Sequence, residues 1–177
     1  MKDRKIIFVG GVHAVGKGTV CKNLSQKLNL EHLSASQVLK WDELSDSKNK
    51  KVQNFSTTQE RLLTNLNRII ELDKKYLLDG HFTLLNSNGE PEKIDESTFA
   101  GIQPQSIILL TCEPKIIFER LKQRDNTKYN ISILRKMQVM EIEHANYISK
   151  ILDIPLFIVI DGDTSPILEY LEKLWEY

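Results

Sequence analysis

Two cysteines among 177 residues are too few for a disulfide-built scaffold. Cys21 and Cys112 sit inside apolar stretches, without CxxC or metal-ligand spacing, and read as small buried thiols of a protein kept in a reducing, cytoplasmic setting. Net charge is missing as well: 24 Lys and Arg balance 24 Asp and Glu, so no global field draws the chain to nucleic acid or to anionic lipid. Any phosphate it binds has to be gripped locally. Long apolar runs are absent too; the one after Met1 lasts about four residues before glycines interrupt it, too short for a signal peptide or a membrane span. No internal repeat, low-complexity tract or interdomain linker divides the chain. Its length suits one domain, residues 1–177, with a sizeable core.

What the chain does contain is a regular alternation. The runs KIIFVG (5–10), KYLLDG (75–80), SIILLT (106–111) and PLFIVID (155–161) are apolar throughout, as strands buried on both faces are. Between them, Leu62, Leu63, Leu66, Ile69 and Ile70 recur at helical spacing. So do Leu134, Met137, Met140 and Ile148, and near the end Ile167, Leu168, Leu171, Leu174 and Trp175. Buried strands alternating with amphipathic helices predict an α/β fold, a parallel β-sheet flanked by helices and joined by right-handed crossovers. The segment NSNGEPEKIDESTFAGIQPQ (86–105) has the Gly, Pro and acidic content of a long loop.

The first strand runs into Gly11, four residues (Val12, His13, Ala14, Val15), then Gly16, Lys17, Gly18 and Thr19. This is the spacing of a phosphate-binding loop, and its position after a strand and before a helix is the one the chemistry requires. Glycines let backbone N–H groups turn inward around phosphate oxygens, the helix N-terminus adds unsatisfied donors, and Lys17 supplies a cation for the β- and γ-phosphates. By background residue frequencies such a match arises by chance on the order of once in a hundred chains of this length.

Gly18 stands where most such loops place Ser or Thr directly after the lysine, and the resulting GKGT ending resembles the loop of adenylate kinases. Other segments extend the likeness in the right order. EHLSASQVLKW (31–41) resembles the segment that lines their monophosphate site, LLDGHF (77–82) their strand ending in an acidic residue, ERLKQRD (119–125) the approach to their lid, and IDGDTSP (160–166) the loop beside adenine. The short lid DNTKYN is closest in pattern to archaeal-type adenylate kinases. The resemblance implies an ATP-dependent phosphotransferase of nucleotide kinase type, a P-loop enzyme working with ATP and Mg²⁺ on small-molecule nucleotides. A nucleoside monophosphate such as AMP would be the acceptor. A P-loop ATPase, or a nucleotide-binding regulatory module acting through a protein partner, is the alternative; no feature indicates such a partner, nucleic acid or membrane.

The resemblance also distributes roles. Lys17, Arg120 and Arg124 would carry catalysis, the two arginines lying one helical turn apart and able to converge on a transferring phosphoryl group. Gly11 through Thr19, with Gly162 and Thr164, would hold ATP. Asp79, a carboxylate at a strand end, would hold Mg²⁺ through water together with Thr19. Ser34, Lys40 and His81 would face the acceptor, with Trp41 and Phe82 as candidate pocket walls. Several positions depart from the family pattern: Lys40 replaces an arginine, Thr83 stands where bacterial members have a second one, and the helix middle MEIEHANY is acidic where another phosphate-gripping arginine is expected. His13, inside the loop, replaces a common proline and suggests shape rather than proton transfer, and His32 and His144 read as surface or partly buried residues.

Overall fold

The computed structural model describes residues 4–40, 55–124 and 130–175. Trp41, Asp125 and most of the DNTKYN lid lie outside the described residues. Five parallel strands form the sheet: β1 (Lys5–Gly10), β2 (Glu31–Ser34), β3 (Lys75–Asp79), β6 (Ser106–Thr111) and β7 (Leu156–Ile160), in the order β2-β3-β1-β6-β7. The helices are α1 (Lys17–Leu28), α2 (Ala35–Lys40), α3 (Phe55–Ile69), α4 (Glu96–Ile102), α5 (Pro114–Arg124), α6 (Ile131–Leu152) and α7 (Leu168–Lys173).

Alternation along each strand divides the core into two layers. Ile7, Val9, Leu77, Ile108 and Leu110 face one side, where Val20 and Leu24 of α1, Ile117 and Leu121 of α5 and Leu171 of α7 cover them. Ile6, Phe8, Leu78, Ile107 and Leu109 face the other, against Val38, Leu62, Leu66, Phe99 and Ile102. Helix α6 serves both, through Leu134 and Met137 near its start and Ala145 and Ile148 near its end. Two-sided burial is why β1, β3 and β6 read as unbroken apolar runs. Strand β7, expected to be buried on both faces, is an edge strand covered only in part, and its Ile158 and Ile160 are 48% and 63% exposed. Both cysteines are free and buried, and among the described residues no helix is long and apolar enough to cross a membrane.

The segment expected to be a loop is ordered instead. Strands β4 (Thr83–Leu85) and β5 (Pro91–Lys93) form an antiparallel hairpin, with Asn86 Oδ1 accepting from the Asn88 and Glu90 amides in its turn. Asp95 then caps α4 by accepting from Ser97 N at 2.9 Å, and Thr98, Phe99 and Ile102 are buried. Strands of three residues and a helix of seven are too short for periodicity to rise above the Gly and Pro around them. Edge strand β2 was hidden for a related reason, since EHLS is mostly half-buried and not apolar.

Candidate active site

Parallel sheets gather their ligand sites at the carboxyl ends of the strands, and the register brings the candidate residues together there. Val9 of β1 pairs with Asp79 of β3, and Ser34 of β2 pairs with Asp79 from the other side. The loop after β1 turns with φ of 141° at Gly11, 61° at Ala14 and 113° at Gly16. Gly16 caps α1 with no side chain over the helix end, so the first-turn N–H groups stay available to an anion. A Cβ built on Gly18 meets nothing within 4 Å. The glycine therefore leaves open room beside those donors instead of relieving a clash within the protein.

Lys17 opens α1 but is buried, and its Nζ donates to the carbonyls of Gly11 at 2.7 Å and Val12 at 3.1 Å. An ammonium has three protons, so one remains for a ligand. Burial pushes its pKa from 10.5 down to about 8, with the Glu141 and Asp79 carboxylates partly opposing the shift. Arg120, from α5, lies over the same loop and donates through Nη1 to the carbonyls of Ala14 at 3.2 Å and Val15 at 3.0 Å. Arg124, one turn further on, lines the same cleft.

Three contacts around this core were not legible in the sequence. His32 Nε2 lies 2.6 Å from Asp79 Oδ2, tying β2 to the end of β3. The His81 ring hydrogen-bonds the Gly11 backbone and sits 4.1 Å from the His13 ring. Burial first, then the neighbouring Lys17 and His13 charges, hold the His81 imidazole far below its usual range, so it is neutral. Glu141 of α6 is 1% exposed, and its Oε1 accepts from Phe82 N, Thr83 N and Thr83 Oγ1 at 2.7–2.9 Å. Its pKa is raised by burial despite those bonds. Within the acidic stretch of α6, Glu141 is thus a buried clamp on the chain leaving β3, with Thr83 as its partner, while Glu143 faces out toward Lys93.

A cleft of about 980 Å³ runs through the site. Its phosphate end is lined by His13 through Thr19, with Arg120, Arg124, Asp161 and Gly162. Past Asp79, Gly80 and His81 it opens into a second lobe walled mainly by Leu62, Leu84, Ile94, Phe99 and Ile102, with Ser34, Ser36, Thr58 and Thr98 adding hydroxyls. Gly11 and Val12 support the loop from behind, and Thr164 lies outside the lining. Lys40 is exposed and does not line the cleft. Phe82 is fully buried, packed edge-on against Phe8 at 5.1 Å; Phe8 and Phe99 line the cleft in its place. His144 is buried and bonds the Ile94 carbonyl at 2.6 Å.

Among curated proteins, the chain is similar to a putative adenylate kinase of Methanocaldococcus jannaschii, with 29% identity over 67% of this chain and 58% of that protein. It also resembles adenylate kinase isoenzyme 1 of Cyprinus carpio, at 27% identity over 72% of this chain and 68% of the relative. The adenylate kinase of Wigglesworthia glossinidia brevipalpis is 30% identical over 68% of this chain and 56% of that protein. The chain thus spans little more than half the length of two of these three relatives. Solved structures of a sugar kinase from Janibacter (TM-score 0.55, 14% identity, 97% of this chain and 91% of that one) and a gluconokinase from Sinorhizobium meliloti (0.51, 12%, 95% and 89%) share its fold. The family model described as AAA domain matches residues 10–135, from the last residue of β1 through the start of α6, and the chain belongs to that family.

Proposed function

We propose that this protein transfers the γ-phosphoryl group of ATP to a small acceptor seated in the second lobe of the cleft, with a nucleoside monophosphate as the acceptor class. One observation carries the reading. A buried lysine and two arginines line one end of a cleft that continues past Asp79 and His81 into a second, mainly apolar lobe. Hydrolysis needs only a water at the phosphate end, whereas transfer needs a shaped place for a second substrate.

The residues present fit ATP and Mg²⁺. The uncapped N-terminus of α1, the open space at Gly18 and the spare Lys17 proton suit phosphate oxygens. Thr19 and the Asp79 oxygen that His32 does not engage offer the hard oxygen donors that Mg²⁺ prefers. Bound there, Mg²⁺ would neutralise charge on the β- and γ-phosphates. Lys17 holds its charge beside the same oxygens, and Arg120 is braced by two loop carbonyls where its remaining donors can meet the charge that develops during transfer. His81, neutral and fixed by Gly11, presents an uncharged ring at the passage between the lobes. Phosphoryl transfer asks for positioning and electrostatics more than for covalent help, and these groups supply both.

ADP formation from ATP and Mg²⁺, measured with and without AMP, other nucleoside monophosphates and nucleosides, tests the reading. Turnover that rises at least tenfold with an acceptor, with phosphorylated acceptor as product, is expected. Turnover at one rate whatever acceptor is present would replace it with an ATPase.

A further inference from the structure

Cys21 has no part in the phosphate chemistry, yet it is not isolated. It follows Lys17 by one helical turn on α1, fully buried on the face turned to the sheet. There its Sγ, a ring nitrogen of His32 and a carboxylate oxygen of Asp79 lie within 4.8 Å of one another. These three donors come from α1, β2 and β3, and the two strands are locked in register, His32 beside Leu77 and Ser34 beside Asp79. The arrangement is therefore built by the fold and not by a mobile loop. We propose that Cys21, His32 and Asp79 form a binding site for Zn²⁺, and that its occupation inhibits turnover by withdrawing Asp79 from Mg²⁺.

The donor set argues for this ion class. One sulfur, one imidazole nitrogen and one carboxylate oxygen match the ligands of a borderline-soft divalent cation, whereas Mg²⁺ takes oxygen donors and avoids thiolate. A tetrahedral ion with bonds of about 2.0–2.3 Å keeps its ligand atoms about 3.3–3.8 Å apart. The 2.6 Å contact between His32 and Asp79 would have to open by about 1 Å, and the widest separation, at most 4.8 Å, would have to close by a similar distance. Side-chain rotation covers both. Entry is from the cleft, which Asp79 lines; the His32 and Asp79 side chains keep 27% and 16% of their exposure while Cys21 has none. Binding forms a metal–sulfur, a metal–nitrogen and a metal–oxygen contact, and the thiol proton leaves to water. Three protein ligands would leave a fourth position for a water. The inhibitory half of the proposal rests on the role given to Asp79 above; the binding half does not.

Co²⁺ added to the whole protein serves as the spectroscopic probe, with Zn²⁺ in competition. One equivalent of Co²⁺ should give a thiolate-to-metal charge-transfer band that Zn²⁺ abolishes. The band should vanish in Cys21→Ser, and the affinity should fall at least tenfold in His32→Gln, which keeps a hydrogen-bonding side chain beside Asp79 and guards against a folding defect in the cysteine variant. Zn²⁺ should inhibit ADP formation by the parent, and Cys21→Ser, with ordinary turnover in Mg²⁺, should resist it at least tenfold better. Absence of the band, its persistence in Cys21→Ser, or unchanged affinity in His32→Gln would each overturn the site. A protein that shows the band but turns over no ATP under any condition would sink the phosphotransfer reading and leave the site standing.

Discussion

At the phosphate end of the cleft, charge is buried and held: Lys17 is bonded to Gly11 and Val12, and Arg120 to Ala14 and Val15. At the acceptor end the described walls are Leu62, Leu84, Phe99 and Ile102 with a few hydroxyls, and Lys40 stays outside on the surface. The first end is specified by backbone conformation and charge, which any nucleoside triphosphate requires. The second is specified by shape. Glu141 joins them: its Oε1 fixes Phe82 and Thr83 under the acceptor lobe, while its charge acts on Lys17. A substitution at the first end should therefore act on rate, and one at the second on fit or stability.

Removing the cation at the phosphate end should have the largest effect. Lys17→Met should lower turnover by about a thousandfold, the upper end of what one preorganised donor contributes. Its effect on stability should have the opposite sign. With a folded pKa of about 8 against 10.5 unfolded, burying the charged lysine costs on the order of 3 kcal/mol, present in full below pH 8. Between about pH 8 and 10.5 the unfolded chain binds more protons, so this cost fades and the parent is stabilised as pH rises. Thermal melts should show Lys17→Met more stable than the parent at pH 7, with the gap closing toward pH 10. The parent's kcat/KM should fall above about pH 8 as free enzyme loses the charge. A variant less stable than the parent at pH 7 would mean that the loop hydrogen bonds outweigh the burial cost.

Next in size are the arginines. Arg120→Ala should cost about a hundredfold in kcat with little change in the KM for ATP, as expected of a group acting on transition-state charge. Arg124→Ala should behave alike, because its side chain lines the same phosphate end one helical turn further on. Equal losses in KM for both, with kcat intact, would make α5 a binding surface instead of catalytic machinery.

How far these contrasts could be read in the sequence follows the same division. Gly11 to Thr19 was legible because a strand, a tight turn and a helix start leave a spacing in the sequence, and the four long apolar runs became β1, β3, β6 and β7 for a similar reason. His32 beside Asp79, His13 beside His81 and Glu141 beneath Thr83 are contacts between residues 47, 68 and 58 positions apart. Only the tertiary packing of strands, loops and helix α6 brings such pairs together, and no local pattern encodes it. Cysteine spacing likewise excluded a metal motif along the chain, while strand register assembled a mixed donor set across it. The acceptor lobe was hardest to read because, apart from Leu62 of α3, its walls come from β4, α4 and Ile94 in the link between β5 and α4, pieces too short to carry a period.

Breaking the link between the two ends should cost stability before rate. Glu141→Ala strips the shared acceptor from Phe82 N, Thr83 N and Thr83 Oγ1, all buried. A buried donor left unpaired costs about 1–3 kcal/mol. The melting temperature should fall clearly, with kcat reduced less than tenfold at a temperature where the variant is folded. Thr83→Val removes only the hydroxyl donor and should cost about 1 kcal/mol, the size of one ordinary hydrogen bond. A catalytic loss in Glu141→Ala as large as in Arg120→Ala would place Glu141 with the phosphate end instead of between the two.

The smallest effect belongs to Lys40. Family resemblance gives this position to the acceptor phosphate, but the side chain is exposed at the last residue of α2 and is not part of the cleft wall. A solvated ammonium at such a place is a strongly hydrated point charge without the fork that holds a phosphate in a fixed geometry. It can raise the local concentration of an anionic acceptor, but it does not orient one. Lys40→Ala should therefore change the KM for AMP by no more than about threefold, and the change should shrink further as salt is raised, because exposed charges are screened within about 10 Å at 0.1 M. Lys40→Arg should be equally mild. Leu84→Ala, which enlarges the acceptor lobe itself, should raise the acceptor KM more than either while leaving that for ATP unchanged. Steady-state kinetics with each substrate varied in turn at two ionic strengths checks the order. A tenfold loss in Lys40→Ala that survives high salt would show that α2 swings Lys40 onto the acceptor during turnover, and the contrast between a charged end and a shaped end would then fail.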